Sequence, residues 1–600
     1  MKKTNKNLKI VIAAVLLLAM LLPVLAGCDK TPVDQGGEDT TPADQGEVTT
    51  PATEETTAPS IKVGEFVALV TGGKAVSRIL YNGKGGEVAL NAAKELNAVI
   101  KEKSGINLSV YSADKAKAFD GVDILVNTPD RPEVIEAKKN LALGDYHIGF
   151  YSGALVIVAD DDNAIFDAID QLADVLDEAK AADGSIGVYD QMKLTSVYNK
   201  PLSLIMPAKN ASSYQKYYNG DESYTVTYGG IDAAGYEAYN ADLASRGMKL
   251  YTQKEVNGNL FATYTGHDCV ITSIFVKHTK ELKLITEPAS VTALPSLEPE
   301  LAAKPAQVTP MITQIGLEVS GNTEDYTNGM SYLIRLSDGR FIVIDGGHHR
   351  SQNAANMFKV MRVQAPDSNN ITVAAWIFTH AHTDHAGMFY KNFSAYSKNV
   401  TIERFIFDFP TDEIGIVNTG MNTYINGIKK QIAKDHPNAV VYKAHAGQTY
   451  LIGDAKIDIL YSFELLCPPE IDENFNMTSL MFSFEMADHR MIFLGDCMVP
   501  SSEFVTKMYG NTLKADFVQV GHHGSTGATT ELYSLIKPSY VFWPIAECKY
   551  PKYQAAAQNS YFKVTRTIKQ ICVAGDNVWT ATFGGGEPVF KMFDNINTYK

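Results

Sequence analysis

A chain of 600 residues is too long for one hydrophobic core and suggests about three to five domains. Hydrophobic residues make up 45% and charged residues 20%, globular proportions that exclude a mostly disordered or fibrous chain. The formal charge of −15, from 53 basic and 68 acidic residues, excludes a basic coat for gripping long nucleic acid, and six cysteines without a CxxC pair exclude a disulfide scaffold or zinc ribbon.

Lys2, Lys3, Lys6 and Lys9 precede an apolar run from Ile10 to Leu25, the layout of a secretory signal. The run is nearly long enough for a transmembrane anchor, but an anchor has no use for the Leu25-Ala26-Gly27-Cys28 that ends it. That ending resembles the lipobox of bacterial lipoproteins. The resemblance implies cleavage of residues 1–27, a diacylglycerol on the Cys28 sulfur, and an extracytoplasmic protein touching the membrane through its lipid alone. Residues 28–60 repeat Thr-Pro-x-Asp-Gln-Gly at 31–36 and 41–46 and have almost nothing apolar to bury, so they read as an extended acidic tether.

Residues 61–195 read as a small α/β domain. Val88, Ala92, Leu96, Val99 and Ile100 share one helical face closed by Gly105, a hairpin turns at Ser152-Gly153, and Ile165, Ile169, Leu172 and Leu176 mark a second helix. The order of elements resembles the small domain that precedes the barrel of some glycoside hydrolases, which implies an accessory role near a surface glycan; a plain spacer fits equally well. Residues 196–290 read as a tyrosine-rich α+β domain with a helix near Asp232–Arg246 and an Asn257-Gly258 hairpin. Its tyrosines suit either a sugar-binding face or core packing, and packing is the more common use. Prolines then punctuate a linker over 291–310.

The chemistry lies in residues 311–600. Five of thirteen histidines sit in two motifs, the first being His380-Ala381-His382-Thr383-Asp384-His385 after the strand-like ITVAAWIFT. At i and i+2 of an extended segment, His380 and His382 point the same way and can share a cation. The turn that follows lets Asp384 and His385 face a second one. Imidazole nitrogen with carboxylate oxygen suits Zn²⁺, with Mn²⁺ or Fe as alternatives. Three more buried strands end in polar residues: Asp345 after FIVI, Asp496 in the Gly-Asp after HRMIFL, and His522-His523-Gly524-Ser525 after ADFVQV. Strand ends along one sheet edge are where α/β folds gather ligands.

HxHxDH, a later strand-Gly-Asp and strand-HHGS together resemble the metallo-β-lactamase-fold hydrolases, with the ComEC-like subgroup nearest. The likeness runs from about Thr313 to Phe590. It implies an α/β multi-domain chain whose C-terminal αβ/βα sandwich follows two small α/β or α+β domains. Carried over by position, His380 and His382 hold a first metal, and Asp384 and His385 a second. Asp496 bridges the two and His522 completes the second site, or His523 if the register slips by one. Asp384 and Asp496 are also the catalytic carboxylates, and Asp345 is structural. Many members supply a third histidine to the first metal; here His445 is the best of His436, His445 and His489. Asn476 and Ser479 fall where ComEC-like sequences have an Asn-Ser pair that contacts substrate or orients a ligand. His348 and His349 could line the rim.

Two divalent cations sharing one carboxylate lower the pKa of a bridging water towards neutrality, so no Ser or Cys nucleophile is needed. No P-loop or GxSxG elbow is present. Residues 311–600 carry 24 basic and 28 acidic side chains, so the acidity resides mainly in the tether and accessory domains. The expectation is a surface-tethered metallo-hydrolase of phosphoester-type bonds in small-molecule or cell-envelope substrates, with long nucleic acid unfavoured. The alternatives are a β-lactam or lactone hydrolase, and a glycan-binding lipoprotein with a vestigial metal site.

Overall fold

Three blocks of sheet follow one another along the chain. The computed structural model describes residues 61–139, 141–161, 164–196, 200–317, 329–411, 421–466 and 474–600. The expected signal and tether, with Cys28, lie outside them. Among the described residues no helix is long and apolar enough to cross a membrane.

In the first block, six strands run in the order Ser109–Ser112, Ser77–Tyr81, Val122–Val126, Ala154–Ala159, Tyr146–Tyr151, Lys193–Thr195. Helix Gly86–Ser104 buries Ala92, Ala93, Leu96 and Ile100, and Gly105 ends it at φ 75° with its N–H on the Lys101 carbonyl. Helix Ala164–Glu178 lays Ile165, Ala168, Ile169, Leu172, Val175 and Leu176 into the same core. Each large aliphatic side chain so buried contributes about 1.5–3 kcal/mol. Ser152 and Gly153 both take positive φ, which the two-residue hairpin between paired Tyr151 and Ala154 requires. His147 is buried in this block, its ring nitrogens on the Thr195 and Tyr151 hydroxyls.

The second block is an antiparallel six-stranded sheet from Ser213 to Pro288 with helix Ala233–Ser245 on one face. Asp232 caps that helix by accepting from the Gly235 N–H. Tyr228, Tyr236, Tyr239 and Tyr264 are core residues between helix and sheet, whereas Tyr218 is exposed. The other face supplies Phe261, Ile274, Val276 and Ile285 to a core shared with Leu460, Met508 and Tyr509 of the C-terminal half. Polar ties cross the same seam: Asn259 Nδ2 donates to the Met508 carbonyl at 2.6 Å, and Lys254 Nζ meets Asp458 Oδ1 at 2.9 Å. The proline-rich connector also lies against this half, with the Glu300 N–H on the Leu451 carbonyl and its carboxylate on Arg404.

The third block is a sandwich. One sheet runs Val440–Lys443, Arg404–Phe407, Ile371–Ile377, Phe341–Asp345, Ser331–Arg335, Met311–Ile315, Val578–Thr582, Val589–Phe593, with Val400–Ile402 alongside Ile371–Ile377. The other runs Thr449–Ile452, Ala455–Tyr461, Met481–Met486, His489–Phe493, Phe517–Gln519, Tyr540–Trp543, Gln570–Val573. Alternate side chains such as Ile344, Ala375, Ile377, Phe482, Phe484 and Phe493 form the core between the sheets. The opposite faces take helices: Ser351–Gln364 and Asn422–Asp435 cover the first sheet, Val499–Tyr509 and Thr530–Ile536 the second. The first sheet contains five mutually parallel strands, at 341–345, 371–377, 400–402, 404–407 and 440–443, and the second four, at 489–493, 517–519, 540–543 and 570–573. Asp345 is the last residue of one such strand, and His380, Asp496 and His523 follow the carboxyl ends of others.

Candidate metal centre

Backbone geometry gathers the site. Asp345 closes its strand at φ 56° and is wholly buried. Its Oδ1 accepts from the Thr379 N–H at 2.8 Å; its Oδ2 accepts from the Thr379 hydroxyl and from His385 Nδ1, both at 2.7 Å. Gly495 sits at φ 53°, and a Cβ there would stand 3.0 Å from the Thr379 Cβ, so only glycine lets the chain bring Asp496 this close. Ser479 Oγ accepts from the Asp496 N–H at 3.1 Å and fixes that turn.

One ligand atom from each of Asp384, His385, Asp496 and His523 lies within 4.8 Å of the others. His385 Nε2 is 3.1 Å from Asp496 Oδ1 and 3.3 Å from His523 Nε2. His523 Nε2 is 3.2 Å from Asp384 Oδ2 and 3.4 Å from Asp496 Oδ2. The Nδ1 of each imidazole donates outward, from His385 to Asp345 and from His523 to the Pro544 carbonyl at 2.8 Å, which leaves both Nε2 lone pairs facing the cluster. His380 and His382 make a second convergence, with His380 Nε2 3.0 Å from His382 Nδ1 and 4.0 Å from Asp496 Oδ2. Asp496 therefore stands between the two groups.

The electrostatics fit a cation. Burial opposes charge on His385 and His523, but Asp496 and its neighbouring carboxylates outweigh it, holding His385 well above the usual imidazole range and pushing His523 up to about 9. Burial likewise opposes the ionised Asp496, and His385 and His523 reverse that effect, holding its carboxyl well down. Burial keeps His380 neutral, well below its ordinary value, as ligation requires. Asp496 Oδ1 is buried without a hydrogen-bond partner, an orphan acceptor inside a ring of imidazoles. Positive charge is wanted here, and a divalent metal held by these residues would supply it without protonating them.

Two sequence expectations need correction. The expectation places His522 beside Asp384 and His385, but it is His523 that joins Asp384, His385 and Asp496. Both residues are left-handed (φ 49° and 56°), and this double turn sends His523 inwards. His522 is partly exposed, gives Nδ1–H to the Thr526 carbonyl, and approaches Asp496 only to 3.9 Å. Gly524 must follow, because at φ 83° a Cβ would lie 2.6 Å from the Trp543 ring. His445 is the second correction: its ring nitrogens lie 3.0 Å from Glu287 and 2.8 Å from Glu464, in a cluster separate from His380 and His382. His436 caps a helix and His489 begins a strand, which leaves no histidine from that stretch. Asn476 stands there instead. Its Nδ2 donates to His522 Nε2 at 3.3 Å, its Oδ1 is buried and unpartnered, and the adjoining Phe475 ring lies 5.3 Å from that of His382. His348 is buried and His349 exposed after Gly347. Sequence reasoning overlooked Thr379, whose hydroxyl reaches Asp345, His380 and His385; its only sequence signal is its place just before the first histidine.

Residues 325–452 match the model of the metallo-beta-lactamase superfamily. The chain is thus a mixed α/β, multi-domain protein with a metallo-β-lactamase domain in its C-terminal half. Zn(2+)-bound PqqB from Methylobacterium extorquens is 11% identical, with 35% of this chain and 72% of that chain covered, at a TM-score of 0.23. Unliganded yeast PDE1 is 10% identical over 44% of this chain and 98% of that one, at 0.29. A CmlA beta-hydroxylase mutant is 12% identical over 40% of this chain at 0.26; the match spans 46% of that chain, less than half its length. No curated protein matches the sequence.

Proposed function

We propose that the protein is a metal-dependent hydrolase acting on phosphoester-type bonds, tethered outside the cytoplasm through lipidated Cys28. The observation that carries the hydrolytic reading is the convergence of His380, His382, Asp384, His385, Asp496 and His523, with Asp496 facing both groups. His380 and His382 would hold one divalent cation, and Asp384, His385 and His523 the other. When bound, such a pair supplies Lewis acidity and an activated water.

The chain's own residues provide the rest. Asp345 and Thr379 orient His385, and Ser479 fixes the Asp496 backbone. His382, Asp384 and His522 are the partly exposed members of the site, so they mark its mouth. A substrate entering there would meet the Asp384 and His522 side chains first. The modest charge of residues 311–600, 24 basic against 28 acidic, tolerates a small anionic ester but gives long nucleic acid no basic track.

The test compares bis(p-nitrophenyl) phosphate, a chromogenic cephalosporin and a simple lactone with Zn²⁺ or Mn²⁺ added. Diester turnover is expected to be fastest and to vanish in His382→Ala. Turnover of the cephalosporin or lactone without the diester would replace the substrate class. No turnover of any substrate by metal-loaded protein would remove the hydrolytic reading. Radiolabelled palmitate should enter the wild type in cells and not Cys28→Ser; equal labelling would dismiss the tether.

A further inference from the structure

The sheet edge that carries Asp345 and His380 continues to two more parallel strands. Arg404–Phe407 is followed at once by Asp408, and Val440–Lys443 is followed two residues on by His445. Glu464 reaches the same point from the short helical turn after Ala455–Tyr461. One ligand atom from each of Asp408, His445 and Glu464 lies within 4.8 Å of the others, and all three residues are more than nine-tenths buried.

The atoms facing one another here lack hydrogen-bond partners. Asp408 Oδ2, Glu464 Oε2 and His445 Nδ1 are each buried and unsatisfied. His445 Nδ1 and Glu464 Oε1 form an ion pair at 2.8 Å, and Nδ1 has no hydrogen bond of good geometry. Two ligand atoms so close suit neighbouring positions on one ion. On the far side of the ring, His445 Nε2 lies 3.0 Å from Glu287 Oε2, the carboxylate–histidine pairing that fixes a metal-binding tautomer. Glu287 is held in turn by Lys443 Nζ at 3.1 Å. Asp408, Glu464 and Glu287 bring three carboxylates around the His445 ring, with Lys443 Nζ against Glu287.

We infer that Asp408, His445 and Glu464 form a second, structural metal site for a divalent transition cation, Zn²⁺ by its imidazole-and-carboxylate donors. Glu287, the outer partner, comes from the antiparallel sheet of residues 213–288, whereas the three ligands come from the C-terminal half. The ion therefore clamps the two blocks together. It is separate from the proposed hydrolytic centre and shares no ligand with it.

The experiment uses the full chain with the first centre disabled by His380→Ala, His382→Ala, His385→Ala, His523→Ala and Asp496→Asn, loaded with Zn²⁺ and desalted. About one zinc per chain is expected to remain, and adding Asp408→Asn, which keeps the shape of the side chain, should remove it. Unchanged far-ultraviolet circular dichroism shows that the comparison is between folded proteins. As a second arm, Asp408→Asn alone should bind one zinc fewer than wild type, and chelator should lower the melting temperature of wild type more than that of the variant. A folded first-centre variant without zinc, or retained zinc indifferent to Asp408→Asn, overturns the inference. If the first-centre variant does not fold, equal zinc content in wild type and Asp408→Asn overturns it. Because the count ignores turnover, an inactive enzyme that keeps this ion would sink the hydrolytic reading and leave the clamp standing.

Discussion

Replacing Asp345 with asparagine tests how the centre is held. Asp345 is fully buried and accepts three hydrogen bonds, two from Thr379 and one from His385 Nδ1. Asparagine keeps one acceptor for the Thr379 N–H but turns an NH₂ group towards His385 Nδ1. Either two donors then face each other, or the imidazole moves its proton to Nε2, the atom 3.1 Å from Asp496 Oδ1 that a metal needs free. Loss of such an outer partner costs about 10–100-fold in metal affinity, or about 1.4–2.7 kcal/mol. Zn²⁺ affinity measured by competition with a chromogenic chelator should fall by that factor in Asp345→Asn. The control is Asp367→Asn, which changes a carboxylate in a surface turn. Wild-type affinity in a folded Asp345→Asn protein would show that packing, not proton placement, orients His385, and the reasoning would be wrong.

Three further outcomes are expected. His523→Ala should lower metal affinity more than tenfold, whereas His522→Ala should leave metal stoichiometry intact; the reverse, read by elemental analysis, would restore His522 as ligand. Burial, aided by Lys193, lowers the His147 pKa from 6.5 to about 4, so below pH 6.5 the unfolded chain takes a proton that the fold refuses. Stability is then complete above pH 6.5 and falls by about 1.4 kcal/mol per unit down to about pH 4. Urea titrations across that window should show the slope reduced in His147→Gln; an unchanged slope refutes it. Finally, a double-mutant cycle on Lys254 and Asp458 should give a coupling of about 1 kcal/mol across the seam between blocks, and a null cycle would make that ion pair incidental.

The sequence exposed the parts of this site that are local. HxHxDH after an apolar run, Gly-Asp after another and Ser-Gly or Asn-Gly in hairpins are short-range patterns with short-range causes. What it hid depends on distance or on uncommon backbone. Nothing in His522-His523 says that both adopt left-handed geometry, yet that pair decides which imidazole turns inwards. His445 looked available because its partner Glu287 lies 158 residues away in another sheet. Asn476 reads in the sequence as a residue that contacts substrate or orients a ligand, but its buried, unpartnered oxygen emerges only once the chain is folded. The tyrosines were ambiguous for a similar reason: a strand tyrosine can face either side, and the helix Ala233–Ser245 decides.

Strand Met311–Ile315 pairs on one side with Ser331–Arg335 and on the other with Val578–Thr582. During synthesis, one of its edges therefore waits for a partner translated 267 residues later, roughly 15–50 s at usual elongation rates of about 5–20 residues per second. The sheets ending at Thr195 and Pro288 have no such delay and can be complete while the ribosome is still working. A nascent chain in this state presents an unpaired β-edge that recruits holdase chaperones or, failing them, other nascent chains. Clipping the last thirty residues would make that interval permanent, whatever became of the histidines.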